Sequence, residues 1–332
     1  MGRKINRLWV LILIGIILIA FLPDMAIAKP GLPAAASEQL INLKQELSIG
    51  MAEGDENYIF GMVSGVDVDD RGNIYVLDWR YRKVKTFNSD GKFRWEIFIP
   101  AGQGPQEADN LSGLAVTPSG ILFLNAGWKV IVYDSEGKYL NTFKTEFRLM
   151  NVGCPGFEGV VGIGPHKGQM LHVFDQNGRL LDSFGGLFVV PEEFAAMREA
   201  PMFAAPLKFS CSKDGRIFVL NPYRYEVSIF KQGKLAGVLK GKNELFKPVQ
   251  RLGRAFVATA ANIFPVANYI LVALRRVEIK EHIADVFSDN KQVGSLMLPG
   301  EMVAIDGQGR LYFVEETDYP KIIRCLASEA GR

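Results

Sequence analysis

Three cysteines and three histidines are all that 332 residues supply of the two side chains most used for metal and redox chemistry. Cys154, Cys211 and Cys325 are widely spaced and odd in number, which fits no disulfide framework and no CxxC or CxxCH site. They read as buried thiols, with a single disulfide between two of them left open for an oxidising compartment. The chain also lacks a GxSxG elbow, an HExxH helix, a phosphate-binding loop and a haem attachment site. Neither charge is in excess, with 38 Lys and Arg against 36 Asp and Glu. Such a balance gives no sequence-independent attraction to phosphate backbones and argues against a nucleic-acid partner. General disorder is excluded by a composition 48% hydrophobic and 22% charged.

One long apolar run is present, LWVLILIGIILIAFL from Leu8 to Leu22, with Arg3, Lys4 and Arg7 before it and Ala26-Ile27-Ala28 after it. A basic start, an apolar middle and a small-x-small exit make residues 1–28 a secretory signal peptide, cleaved after Ala28. The run is shorter than the roughly 20 residues a spanning helix needs. The expected location is therefore periplasmic or extracellular. Left uncleaved, the segment would anchor the chain, the only membrane association expected; no cysteine near the cleavage point suggests a lipid anchor. Loss of residues 1–28 leaves 35 basic and 35 acidic side chains.

Beyond that leader the chain repeats itself. VDVDDRGNIYVLD (Val66 to Asp78) with KVKTFNSDGKFRWEI returns as LAVTPSGILFLN with VIVYDSEGKYLNTF, and again as LKFSCSKDGRIFVLN with VSIFKQGKLAGVL. Each copy reads as a four-stranded antiparallel meander. Its clearest marker is the third-to-fourth hairpin: FNSDGKF around Gly91, YDSEGKY around Gly137 and FDQNGRL around Gly178, with weaker copies at Gly233 and Asn290. The Gly tips supply positive φ, and the flanking Phe or Tyr packs between sheets.

Six units are expected, since a repeat of about 40 to 55 residues that cannot bury both its faces alone is the sequence form of a β-propeller. Blade one spans Ser64 to Phe98, blade two Gly113 to Phe143, and a degenerate blade three Leu149 to Phe184. Blade four spans Leu207 to Leu239 and blade five Arg254 to Leu298. The sixth, from Met302, runs out after three strands. An all-β ring of four-stranded blades left open there would expose a long strand edge. The missing strand is assigned to LINLKQELSIG (Leu40 to Gly50) in the N-terminal segment 29–63, beside Ile322 to Leu326 of the propeller 64–328. Leu40, Leu43 and Leu47 also fit an amphipathic helix; the edge argument selects the strand.

The motifs GVDVDDRGNIYVLDWRYRKVKTFNSDGKF and GEMVAIDGQGRLYFVEE resemble NHL repeats, and GQGPQE (Gly102 to Glu107) resembles the Gly-rich joint of related bacterial six-bladed propellers. The resemblance covers about Ser64 to Ala327, and it implies a fold without naming an activity. It further implies that second-to-third strand tips share a face with the blade-to-blade joints. Those tips read WRYR (Trp79, Arg80, Tyr81, Arg82), GWK (Trp128, Lys129), PYRY (Tyr223, Arg224, Tyr225), RRVE (Arg275) and TDYP (Tyr319). Aromatics beside bases are the composition of a binding surface. The expected role is a binding or scaffolding module for a protein segment or polymer, with no cofactor and no catalytic residue assigned. Asp78, Asn125 and Asn221 read as turn caps. The long joint Gly185 to Pro206, with a short helix over Glu192 to Glu199, reads as a docking element or a plug.

NHL-like propellers also include a metal-dependent amidating lyase, and gluconolactonase-like ones hold a divalent ion. A metal-dependent lyase or lactonase at the channel mouth is the alternative. His166, His172 and His282 do not occupy equivalent ring positions, and no carboxylate pair among Asp67, Asp69, Glu107, Asp109, Glu158, Glu301 and Asp306 has diagnostic spacing.

Overall fold

A strand with every residue buried needs neighbours on both faces, and IYVLD at Ile74–Asp78 is such a strand. The computed structural model describes residues 40–197, 208–242, 246–252, 255–257, 260–275 and 282–330. These lie in one unit, Gln39–Arg332; the other, Met1–Glu38, which carries the expected signal peptide, lies outside the described residues.

After β1 (Ile41–Ile49), blade one comprises β2 (Val63–Val68), β3 (Ile74–Asp78), β4 (Lys83–Phe87) and β5 (Phe93–Phe98). Blade two is β6 (Gly113–Val116), β7 (Leu122–Asn125), β8 (Lys129–Tyr133) and β9 (Tyr139–Lys144). Blade three is β10 (Asn151–Gly153), β11 (Val160–His166), β12 (Gln169–Phe174) and β13 (Leu180–Gly186). Blade four is β14 (Lys208–Cys211), β15 (Arg216–Leu220), β16 (Glu226–Lys231) and β17 (Lys234–Lys240). A separate hairpin, β18 (Gln250–Leu252) with β19 (Ala255–Val257), precedes blade five: β20 (Ala260–Val266), β21 (Tyr269–Arg275), β22 (His282–Ser288) and β23 (Lys291–Leu298). Blade six is β24 (Glu301–Ile305), β25 (Arg310–Glu315) and β26 (Lys321–Glu329), with β1 as its fourth strand. The protein is a six-bladed β-propeller.

The first strands touch in cyclic order, β2 to β6 to β10 to β14 to β20 to β24 and back to β2. Each blade interface holds one apolar cluster. Strand alternation feeds two interfaces at once: Ile74 and Val76 pack toward blade six, Tyr75 and Leu77 toward blade two. The recurring hairpins are capped by Asn88, Asp134 and Asp175, each of whose Oδ1 accepts the backbone N–H groups two and four residues on, at 2.8–3.0 Å. Their tips also dock on the fourth strand of the preceding blade. A Cβ on Gly137 would come 3.0 Å from Trp95, and one on Gly178 2.2 Å from Phe143, so positive φ and close approach both require glycine.

β1 completes this pattern at the joint. It runs antiparallel to β26, with Ile41 opposite Glu329 and Ile49 opposite Ile322. Ile41 is buried between blades five and six and Ile49 between six and one, while Leu47 receives the tip of the Gly91 hairpin as Trp95 and Phe143 do elsewhere. Arg324 on β26 donates to the Ser89 carbonyl of blade one at 2.7 Å. The helical alternative for Leu40–Leu47 is therefore not realised, because pairing satisfies an edge that a helix would leave open.

Two expectations are corrected. Blade five starts at Ala260, not Arg254, because 250–257 fold back on themselves as a hairpin. Of the helix expected over Glu192 to Glu199, the described part is a kinked 3-10 turn, Glu192–Met197; residues 198–207 lie outside the described residues.

Ile49→Ala is expected to cost about 2–5 kcal/mol in denaturant unfolding, as a buried Ile truncation does, against about 0.5 kcal/mol or less for the exposed neighbour Lys44→Ala. Removing the chain through Ile49 should bare β26 and give self-association in size-exclusion chromatography.

Candidate functional site

In an up-and-down blade the second-to-third tips and the blade-to-blade joints share one end of the ring, here termed the upper face. Two buried residues build it. The Asp78 carboxylate accepts the N–H groups of Gly61 (2.7 Å), Met62 (3.1 Å) and Tyr81 (3.2 Å), tying the tip of blade one to the start of its inner strand. Asn125 repeats the device in blade two: its Nδ2 donates to Ser112 Oγ (2.8 Å) and the Leu149 carbonyl (3.2 Å), and its Oδ1 accepts from Gly127 N–H (3.0 Å). Asn221 Oδ1 accepts from Tyr223 N–H at 2.9 Å. On these caps stand Trp79 (49% exposed), Tyr81 (45%) and Trp128 (54%). None of the three rings stacks on another ring or carries a cation among the described residues. Arg80 beside them and Arg224 on blade four are also exposed.

Most of the other residues singled out in the sequence are bonded or packed rather than left in solvent. Arg82 donates to the carbonyls of Ile99 (3.0 Å), Pro100 (3.2 Å) and Ala108, so it pins the joint between blades one and two. Lys129 is buried, and its Nζ donates to the Gly104 carbonyl in the same joint at 2.8 Å. Lys85, not singled out in the sequence, does likewise for the Glu56 and Ile59 carbonyls, at 2.6 and 2.9 Å. Tyr225 is buried, stacks on Phe246 and donates its hydroxyl to Asp285; burial, reinforced by Asp285, holds its phenol well above the ordinary range. Tyr223 is buried too, packed on Phe194 and Val249, and so clamps two long joints over blade four. Tyr319 is half-buried, with the Lys321 ammonium 5.7 Å from its ring centroid. Arg275 ends β21; its side chain and residues 276–281 lie outside the described residues.

The inner strands enclose a cavity of about 340 Å³ that reaches the upper face past Ser64, Ser112, Asn151 and Asn262. Lys213 stands at its lower end. From blade four it crosses the ring to blade one, donating to the Val68 carbonyl at 2.8 Å with Asp67 at 3.6 Å. Desolvation pulls the Lys213 pKa down, but Asp67 and other neighbours outweigh it and leave the ammonium raised above its usual range. A second cavity of about 320 Å³ opens below and shares only Lys213 with the first. Lys213 thus stands between the two cavities. The sequence carries a signal for this: the second place of the first-to-second turn is Asp70, Pro118 and Gly307 in blades one, two and six, and Lys only in SKDG of blade four.

His166 and His172 stand side by side on Phe147 with ring centroids 5.9 Å apart, and His282 is on another blade. His166 stacks on Phe147 with ring centroids 4.3 Å apart, His172 is buried between Ser183 Oγ and the Gly164 carbonyl at 2.9 Å each, and His282 begins β22. Cys154 and Cys325 are buried, Cys211 is half-buried, and all three are free thiols. Burial raises all three thiols above their ordinary range. Among the described residues no group of three or more His, Cys, Asp or Glu side chains is placed to hold a metal ion, and no helix is long and apolar enough to cross a membrane.

Residues 53–159 match a family model described as a 6-bladed beta-propeller. None of the curated proteins matches the chain in sequence. Among solved structures the chain is similar to a candidate exported protein from Bacteroides fragilis, with 10% identity over 88% of this chain and 96% of that one and a TM-score of 0.58. It is similar to a member of the duf4221 family from Bacteroides vulgatus, with 11% identity, 88% and 99% coverage and a TM-score of 0.56. It is also similar to virginiamycin B lyase from Staphylococcus aureus, with 12% identity, 86% and 99% coverage and a TM-score of 0.51. At these identities the likeness is one of fold.

Arg82→Ala is expected to lower stability by about 1–3 kcal/mol, since it strips a donor from part-buried carbonyls, whereas Arg80→Ala stays within about 0.5 kcal/mol; urea midpoints separate them. Burial, the leading cause, depresses the His172 pKa below the usual imidazole value of about 6.5. The unfolded chain therefore binds this proton first: the stabilisation is complete above about pH 6.5 and lost as pH falls through the folded-state value. His172→Gln should flatten that part of the stability-versus-pH curve.

Proposed function

We propose that this chain is an exported, NHL-like propeller that binds an extended partner, a protein segment or a polymer, across the upper face of blades one and two. One observation carries the reading: Trp79, Tyr81 and Trp128 leave their rings in solvent while the turns that bear them are tied down by buried Asp78 and Asn125. An exposed aromatic held on a fixed turn gives contact area at little entropic cost, which is why Trp and Tyr anchor interfaces. Arg80 adds direction beside the rings. Blade four differs, its tip carrying the joints clamped on Tyr223.

The leader motif at residues 1–28, and a candidate exported protein among the structural neighbours, support export. The NHL-like motifs of blades one and six support the repeat assignment.

The partner is sought by pull-down from the native cell envelope. Trp79→Ala with Trp128→Ala should abolish its binding while the melting temperature stays near that of the parent, the two sites being exposed. Full binding by the double variant would place the interface elsewhere. Stoichiometric zinc or calcium in the purified protein would favour the lyase or lactonase reading instead.

A further inference from the structure

We infer that the ligand of the upper face is a neutral oligosaccharide, its sugar rings laid on Trp79 and Trp128 and one end directed to the rim of the central cavity; this rests on the binding face proposed above. The first argument is the loss of free charge. The tips look basic in sequence, yet Arg82 and Lys129 spend their donors on backbone carbonyls of the joint between blades one and two. Lys83 pairs with Glu96 at 2.6 Å. At these two tips Trp79, Tyr81 and Trp128 remain in solvent with Arg80, and Arg148 lies exposed beside Gly127. An acidic peptide would need more free guanidinium or ammonium groups along its length than these two.

The second argument is the chemistry of the rim. Ser64, Ser112, Asn151 and Asn262 line the cavity mouth. Hydroxyls and primary amides both donate and accept, and the Glu301 and Glu316 carboxylates that line the same cavity accept, which matches a sugar's hydroxyls and disfavours an anion. The C–H face of a pyranose meets the negative face of an indole ring favourably, and the ring edge leaves the hydroxyls pointing outward to partners. The third argument is connection. Trp79 N–H donates to the Met62 carbonyl at 2.9 Å, and Met62 lines the cavity. The cap under Trp128 reaches Ser112 on the same rim. Platforms and rim are thus held in one frame, above a cavity whose volume of about 340 Å³ falls in the range of about 300–1,000 Å³ usual for small-ligand pockets. Lys213 stands between it and the cavity below.

The test titrates the full chain with hexasaccharides of β-1,4-linked glucose, β-1,4-linked mannose, β-1,4-linked N-acetylglucosamine and α-1,4-linked glucose, read by calorimetry and tryptophan fluorescence at low and high salt. Saturable binding of at least one, with affinity nearly unchanged by salt and weakened about tenfold or more by Trp79→Ala and by Trp128→Ala, is expected. Asn151→Ala should weaken the same sugar while leaving the tryptophan signal of the free protein unchanged. If no sugar binds, or if binding survives loss of both tryptophans, the assignment is overturned. A peptide array read on the same variants separates the two levels: peptide binding that depends on Trp79 keeps the face and removes the sugar, whereas ligands that ignore both tryptophans remove the face as well.

Discussion

The structure depends on one contact repeated around a ring: the apolar seam between adjacent blades. Each blade buries its second strand on both sides, so no blade has a solvent face to fall back on, and a missing neighbour would expose the seam on each side of the gap. The seam between blades six and one differs from the rest in being assembled from the two ends of the chain. There β1 supplies the outer strand, Ile49 the buried wedge and Leu47 the seat for the Gly91 hairpin.

The same frame positions the upper face. Asp78 and Asn125 are buried residues whose hydrogen bonds run from a tip to the start of an inner strand. A polar group buried in such a place is costly unless satisfied, and here it is satisfied by holding the tip to the core. Bases that look like surface groups are drawn into this frame as well, fastening the joints between blades. What the frame leaves in water on blades one and two includes Trp79, Tyr81 and Trp128, with Arg80 among them, beside a cavity at whose lower end Lys213 stands.

Much of the fold was legible in the amino-acid order because local rules and ring geometry agree. The DG, EG and NG tips with flanking Phe or Tyr located the hairpins, and a sixth unit one strand short pointed to Leu40–Gly50 for closure. Blade five is less legible: the hairpin at 250–257 is local pairing that carries no repeat signal, so the repeat pattern alone puts the boundary too early. The tips were legible as elements but not as surfaces. Arg82 and Lys129 sit beside exposed Trp or Tyr in sequence, and only the path of the joint at 99–108 shows that their donors end on its carbonyls. Tyr223 and Tyr225 are buried by the long joints, which lie too far along the chain for local reading to bring them together. Lys213 was missed because a base in a turn reads as solvent-exposed, although it is the one Lys at that place of the repeat.

Hydrogen–deuterium exchange measured residue by residue tests the central claim most directly. If β1 is an integral strand of blade six, the paired amides of Ile41–Ile49 and of Lys321–Glu329 exchange only through global unfolding, at the free energy seen for β3 and β7. Exchange of the β1 amides orders of magnitude faster than that of β3, with β26 following it, would mean the ring is held without its closing strand and would contradict the account.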